Sequence, residues 1–377
     1  MKVLMISSGT NTKFFERESS VRKRMAEYGS IVDELHIIVF SPKGYEVEQI
    51  ADNVWVYPTN SVSKLFYSFD GIRIGKTIVD GDEWIITAQD PFEAGFAAWS
   101  LSYFFEIPFE VQVHGDIYNT YFITGNTFNV FRRPVGFFVL PKADHIRVVS
   151  QRIADSLQNR GIPKEKITVF PVVVDIDVFK KSEPSFDVYD KYPQFDSVLL
   201  AVSRLEVEKD IPTALRALAY IVQKGINAGL VIVGTGRLKK DFRDLVKNLG
   251  IEKRVIFEGW QDDLVSYYKT ADIFLNTSLH EGYARTLIEA AASGIPIIST
   301  DVGIVGDILI GDRDIEVCDT GDEICFATKT SELLKNEKKY SQLRKHARNS
   351  VEAHIYSQKG YLSMIQKNWK KCLMTKS

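Results

Sequence analysis

The sequence predicts an α/β protein made of two successive Rossmann-like halves, each a parallel sheet covered by helices, and three observations carry that prediction. Short apolar runs such as LHIIVF, WIITA, SVLLAVS and GLVIVG alternate with stretches of helical periodicity along most of the chain. That is the pattern of strands buried on both faces and joined by crossover helices. Polar and charged residues gather at the carboxyl ends of the apolar runs, where open parallel sheets hold ligands. The alternation breaks once, in a charged stretch with two prolines that we assign as a linker over residues 179–194.

Composition bounds the rest. At 377 residues the chain has room for two to three domains, and 47 Lys+Arg against 49 Asp+Glu imply no nucleic-acid partner. An apolar fraction of 45% and an aromatic fraction of 12% describe an ordered globular protein. Cys318, Cys325 and Cys372 show no metal-ligand spacing, so free thiols in a reducing cytoplasm are the expectation. MKVLMISSG is too short an apolar run for a signal peptide and reads as a first strand. No stretch approaches the length that crosses a bilayer.

In the first half, the run Lys2 to Ser7 ends in SSGTN, with Gly9 for a tight turn, and Glu16 to Tyr28 suits an amphipathic helix. Strands follow at LHIIVF, VWVYP, WIITA, FEVQVHG and HIRVVS. They deliver Gln89, Asp90, His114 and Asp116 to one carboxyl edge. Tyr118 to Leu140 is rich in Phe and carries Arg132, Arg133 and Pro134. It reads as a helix packed on the sheet and interrupted or started at Pro134, the alternative being a basic, aromatic surface facing a lipid-linked acceptor.

The second half opens with SVLLAVS and continues through GLVIVG, VIFEG, DIFLN and PIIST. From Ser331 onward two helices are expected, ending in a solvated basic tail at Lys367, Lys370, Lys371 and Lys376. Arg204 and Lys209 follow the opening strand, before a helix that starts near Pro212. A guanidinium and an ammonium beside a helix N-terminus are groups that hold a diphosphate, although each alone is more often a surface charge. GTGRLKK has Lys239 where a dinucleotide fingerprint needs a third glycine, which argues against a nicotinamide dehydrogenase. Its glycines allow a tight turn or close approach of a nucleotide. His114 and His280 are the two histidines at strand ends.

HEGYARTLIEAAASGIP, from His280 to Pro296, holds two carboxylates: Glu281 in the loop and Glu289 inside the helix. One can lie near a reacting centre and the other can hold ribose hydroxyls. Equally, Glu281 can be a helix-start acid and Glu289 a solvated face residue. By spacing alone the two readings stand level.

Taken together, AVSRLEVEKD, VIVGTGRLKKDFRDLVKNLG, VIFEGW, ADIFLNTSLHEGYARTLIEAAASGIPIIST, ADHIRVVS and PVVVDIDVF resemble the retaining GT-B glycosyltransferases of the group 1 type, family 4. The resemblance runs over roughly residues 110 to 300. It implies two facing Rossmann-like domains, an acceptor-side domain over 1–178 and a donor-binding domain over 195–352. It also implies a C-terminal helix, 353–377, packing back on the first domain. The family's phosphate-binding pair matches Arg204 and Lys209, and its two glutamates match Glu281, on the donor sugar, and Glu289, on the ribose. The amides near Gly282 and Tyr283 belong to the donor site, and His114 positions donor sugar and acceptor. The implied partners are a nucleotide sugar and a glycan or lipid-linked acceptor. No cofactor and no metal are implied; Asp175 and Asp177 fall in the domain-end turn. A cytoplasmic location follows, with peripheral contact at the inner membrane face as a further option. Two departures stand out: Ala284 replaces a glycine frequent in the family, and SSGTN lacks the usual Gly-Gly pair. A nucleotide-sugar hydrolase or epimerase and a non-catalytic nucleotide-sugar binder are the competing readings.

Overall fold

The computed structural model describes residues 1–10, 12–81, 83–124 and 128–375 and divides into two compact units. Asn11 and Lys376 lie outside the described residues, as do residues 125–127 of the Phe-rich stretch and the side chain of Thr10.

The first unit comprises Met1–Pro171 and Tyr356–Ser377. Its strands are β1 (Lys2–Thr10), β2 (Glu34–Phe40), β3 (Glu48–Ala51), β4 (Val54–Pro58), β5 (Trp84–Ala88), β6 (Phe109–Val113), β7 (His145–Val148) and β8 (Ile167–Val169). They form one sheet in the order β3-β4-β2-β1-β5-β6-β7-β8, parallel except for β3. Val3 to Ile6 and Trp84 to Ala88 are buried almost completely, which is why these strands read as unbroken apolar runs. Strand order reverses between β1 and β5, so the ligand crevice of this sheet lies beyond their carboxyl ends.

Helix Gln358–Leu373 belongs to this unit and is seated on a buried polar layer. Asn368 bonds the buried Glu110 carboxylate, Arg147 donates to the Tyr361 hydroxyl at 2.8 Å, and the Arg147 guanidinium stacks over Phe170.

The second unit, Val172–Ile355, contains β9 (Ser197–Val202), β10 (Ala228–Val233), β11 (Val255–Gly259), β12 (Ile273–Asn276), β13 (Ile297–Thr300) and β14 (Glu316–Cys318). They run parallel in the order β11-β10-β9-β12-β13-β14, with the reversal between β9 and β12. Leu199, Leu218, Leu230, Ile273 and Phe326 anchor the core between this sheet and its helices.

Three expectations need correction. Residues 179–194 are not a linker: they lie within the second unit, where Ser185 N–H donates to Ser266 Oγ at 2.7 Å and Lys191 pairs with Glu258. Cys318 and Cys325 are not free thiols but form a disulfide, because the end of β14 and the first turn of the next helix bring their Cα atoms to 5.8 Å. The two helices expected from Ser331 onward are Glu337–His354 and Gln358–Leu373, which follow helix Glu323–Leu333. Pro134 neither starts nor breaks a helix; it sits inside Asn129–Val139.

Candidate functional site

In the second unit the predicted residues converge on the reversal point of the sheet. β9 ends at Val202, and the chain then passes Arg204 and a short turn, Val207–Lys209, before entering helix Ile211–Gln223. β12 ends at Asn276 and leads through Glu281 into helix Arg285–Ser293. Hydrogen bonds fasten the two loops together: Thr277 Oγ1 lies 3.1 Å from the Lys209 carbonyl and 2.9 Å from that of Asp210, and Leu279 N–H donates to the Glu208 carbonyl at 2.8 Å.

Lys209 and Glu281 meet across this seam as an ion pair, each side chain only 14% exposed. Ser278 Oγ lies 2.9 Å from the same Glu281 oxygen. Neither residue is therefore a solvated surface charge. In contrast, Arg204 is an outward group, 70% exposed, leaning on Glu208 at 2.8 Å.

Glu289 lies one turn into helix Arg285–Ser293 and is buried, so the solvated-face alternative is ruled out. Tyr268 OH is 3.3 Å from one carboxylate oxygen, and Arg285 is 3.7 Å from the other. Burial raises its pKa, against the opposing pull of Arg285 and Tyr268. No side chain caps this helix: its N-cap is Ala284, held at φ 63°. A left-handed alanine explains why glycine suits this position, and an uncapped nine-residue helix turns its first amides and positive dipole end to the loop.

Beside these groups is a cavity of about 190 Å³, lined by Ser203, Arg204, Gly234, Trp260, Leu264 and Thr286 among others. Gly234 of GTGRLKK lines its wall, and both glycines of the motif pack backbone closely on backbone. A Cβ on Gly234 would meet the Ser203 carbonyl at 1.9 Å, and one on Gly236 the Leu205 carbonyl at 2.4 Å. Trp260 and Thr286 escaped the sequence reading. The available signal was the tryptophan's place directly after a strand's terminal glycine, in VIFEGW; in the structure Trp260 is 71% exposed.

Gly282 and His280 are half-buried and Tyr283 is buried in the same loop.

His114 belongs to a different place, a recess of about 280 Å³ in the first unit beyond β5 and β6, also lined by Gln89, Asp90, Phe92, Phe122 and Arg132. By accessible area His114 is exposed, while the protein around it is as dense as in an interior; both describe a side chain at the mouth of a recess. Desolvation, reinforced by Arg147 and Arg24, lowers its pKa to about 4 and leaves the ring neutral at pH 7. Asp90 is the group the sequence reading undervalued. Burial raises it to about 6 although Arg132 lies 3.3 Å away, and Arg132 gives its strongest contact, 2.6 Å, to Glu93. Asp116 caps the turn after His114 by accepting from Tyr118 N–H at 2.9 Å.

Comparison with known proteins adds to this geometry. Residues 190–350 match the family described as "Glycosyl transferases group 1", and residues 33–178 match "Glycosyltransferase Family 4". N-acetyl-alpha-D-glucosaminyl L-malate synthase of Bacillus anthracis is 28% identical over 59% of this chain and 58% of its own length. Alpha-monoglucosyldiacylglycerol synthase of Streptococcus pneumoniae is 30% identical over 42% of this chain and 38% of its own. The matched region thus spans little more than half of the first relative and less of the second. Among solved structures, Anabaena Alr3699/HepE in complex with UDP-glucose superposes with a TM-score of 0.76 at 18% identity, covering 100% of both chains. That likeness establishes the GT-B fold.

Proposed function

The chain belongs to the group 1 glycosyltransferases of GT-B fold, and from that premise we propose that it moves a sugar, with retention, from a nucleoside-diphosphate sugar to a hydroxyl acceptor. The observation that carries the reading is a cavity of the second unit lined by Arg204 and by Thr286 in the first turn of an uncapped helix, with the Lys209–Glu281 pair on the loops that follow the same two strands. A departing nucleoside diphosphate gains negative charge as the anomeric carbon gains positive character. Fixed cations and amides aimed at that diphosphate lower the barrier.

In this reading the diphosphate lies between Arg204, Lys209 and the amides that run from Gly282 and Tyr283 through Ala284 into the helix. Lys209 turns from Glu281 towards the phosphates, and Glu281, released, accepts from a hydroxyl of the donor sugar. The exposed Arg204 closes over the diphosphate from outside, and Glu289 accepts from the ribose hydroxyls. The acceptor oxygen attacks the anomeric carbon on the face the diphosphate leaves, the sugar–phosphate bond breaks, and the acceptor's proton passes to the departing phosphate oxygen. His114, neutral at pH 7, positions donor sugar and acceptor. The scheme uses no metal ion; the cations it needs are side chains.

The acceptor is a hydroxyl compound, and a lipid-linked one is favoured by the diacylglycerol named in the streptococcal relative. We place the reaction in the cytoplasm, where nucleotide sugars are made. The test is to screen UDP, GDP and ADP by thermal shift and then assay the matching sugar donors with and without acceptors. Sugar transferred with its anomeric configuration kept supports the reading. Equal donor turnover without acceptor would turn it into a nucleotide-sugar hydrolase, and binding without any turnover into a nucleotide-sugar binder.

A further inference from the structure

Large apolar side chains are exposed in one concentrated region of the first unit. Leu65 and Phe69 stand at the start of helix Tyr67–Ile78, Tyr103 and Phe104 at the end of helix Glu93–Phe105, and Phe131 and Phe138 on helix Asn129–Val139. Tyr103 is 80% exposed and Phe131 74%. Apart from Val47, Tyr356 and Met374, every large exposed apolar side chain described in this unit lies on these three helices or in the turns leading into the first and third. Exposed apolar surface that is gathered rather than scattered marks a contact site.

The three helices pack side by side, and ring contacts join their exposed ends. Lys76 of the first helix sits 3.9 Å over the Phe104 ring of the second. Trp99 of the second meets Phe138 of the third edge-on at 4.8 Å, and Lys142 lies 3.8 Å over the same Phe138 ring. The cations of the face are Lys64, Arg73, Lys76, Arg133 and Lys142. Its acids are fewer: Asp70 is engaged by Ser61, Glu93 by Arg132, and Glu106 ends the second helix. In a chain whose formal net charge is -2, this is a local basic excess.

We propose that this three-helix face docks on the surface of an anionic phospholipid bilayer. Aromatic rings flanked by lysines and arginines suit the headgroup layer, where rings sink to the acyl boundary while cations reach anionic headgroups. A second copy of the chain is the poorer occupant, because a two-fold contact would set the same cations against each other. Among the described residues no helix is long and apolar enough to cross a membrane, so the contact is peripheral. The His114 recess shares the third helix through Arg132, which places a bilayer-borne acceptor beside the candidate acceptor pocket. In that last respect the inference rests on the proposed lipid-linked acceptor; the docking itself does not.

The experiment is co-flotation of the full chain, without donor, with vesicles of phosphatidylcholine alone or with about 30% phosphatidylglycerol. Wild type is expected to float with the anionic vesicles at least tenfold more than with neutral ones, and less as salt rises. The double variant Phe69→Asp/Phe131→Asp, both sites exposed and outside the candidate sites, should lose that binding while keeping its melting temperature and its UDP affinity. Lys76→Glu/Lys142→Glu should lose the preference for anionic lipid. Absence of flotation, flotation unchanged in both variants, or a dimer in sedimentation that the Phe variants dissolve would each overturn the proposal. Flotation in a protein that transfers no sugar would leave the docking standing and remove the enzymatic reading instead.

Discussion

The two units use charge in opposite ways. In the second unit, ionised groups are paired and partly enclosed at the reversal point of the sheet, with Lys209 on Glu281 and an uncapped helix end beside them. In the first, the recess beyond β5 and β6 carries groups pushed towards neutrality: burial lowers His114 to about 4 and raises Asp90 to about 6. A diphosphate brings its own charge, so a site for it must supply cations and amides. A site for a hydroxyl needs shape and neutral hydrogen-bonding groups. The contrast teaches which unit answers to which half of the proposed reaction.

The sharpest way to break it is Glu281→Gln. Transfer should fall by about 10² to 10³-fold, as when a group acting on developing charge is removed. Affinity for UDP should hold or rise, since the amide no longer neutralises Lys209. Initial rates and calorimetry on one preparation decide this, and unchanged turnover would take Glu281 out of the chemistry.

Lys209→Ala comes next. It strands a carboxylate that is only 14% exposed, so the second unit should lose about 2 kcal/mol of stability in denaturant titration. UDP affinity should fall about tenfold, the scale of one lost charge-assisted contact. Stability intact with affinity reduced would mean that Ser278 alone suffices to hold Glu281.

The first unit is tested through pH. Because the Asp90 pKa is raised to about 6, the folded protein keeps a proton that the unfolded chain releases near its ordinary value of 3.8. This group's contribution to stability is therefore full below the unfolded value and is lost as pH rises through about 6, at a cost of about 3 kcal/mol. Asp90→Asn has no proton to lose, so wild type should melt progressively lower relative to the variant between pH 4 and 7. A flat difference would mean that Arg132 holds Asp90 ionised throughout.

The smallest effect belongs to Ala284→Gly. Relief of a left-handed alanine is worth about 1 kcal/mol, partly offset by the extra freedom glycine has in the unfolded chain. A rise in stability of about 0.5 kcal/mol with donor affinity unchanged is expected; a fall would show that the alanine methyl packs usefully against Gly303, where a Cβ would meet it at 2.7 Å.

How much of this was legible beforehand differs between the units in the same sense. In the second unit, β9 to β13 stood out as apolar runs, Arg204, Lys209 and Glu281 fell in the loops beyond strand ends, and Glu289 fell inside the helix that follows, because backbone pattern alone places such residues. The Lys209–Glu281 pair was not legible: its partners are 72 residues apart and meet only when β9 and β12 become neighbours. For the same reason the Cys318–Cys325 disulfide was missed; a seven-residue spacing becomes a bridge only through the turn between β14 and the next helix. β14 itself has three residues and β3 four, too few for periodicity to show. In the first unit, Asp90 read as a polar residue at a strand end, and its raised pKa comes from burial that only the packed fold creates, against the pull of Arg132, 42 residues on. The exposed aromatics of three separate helices form one face only after those helices pack together.

The central claim is that the second unit holds the diphosphate through Arg204 and Lys209. Calorimetric titration of UDP, GDP and ADP into wild type, Arg204→Ala and Lys209→Ala tests it most directly. One site per chain for the favoured nucleotide, weakened several-fold in Arg204→Ala, about tenfold in Lys209→Ala and by added salt in wild type, is the predicted result. Wild-type affinity in both variants would contradict it and send the phosphates elsewhere.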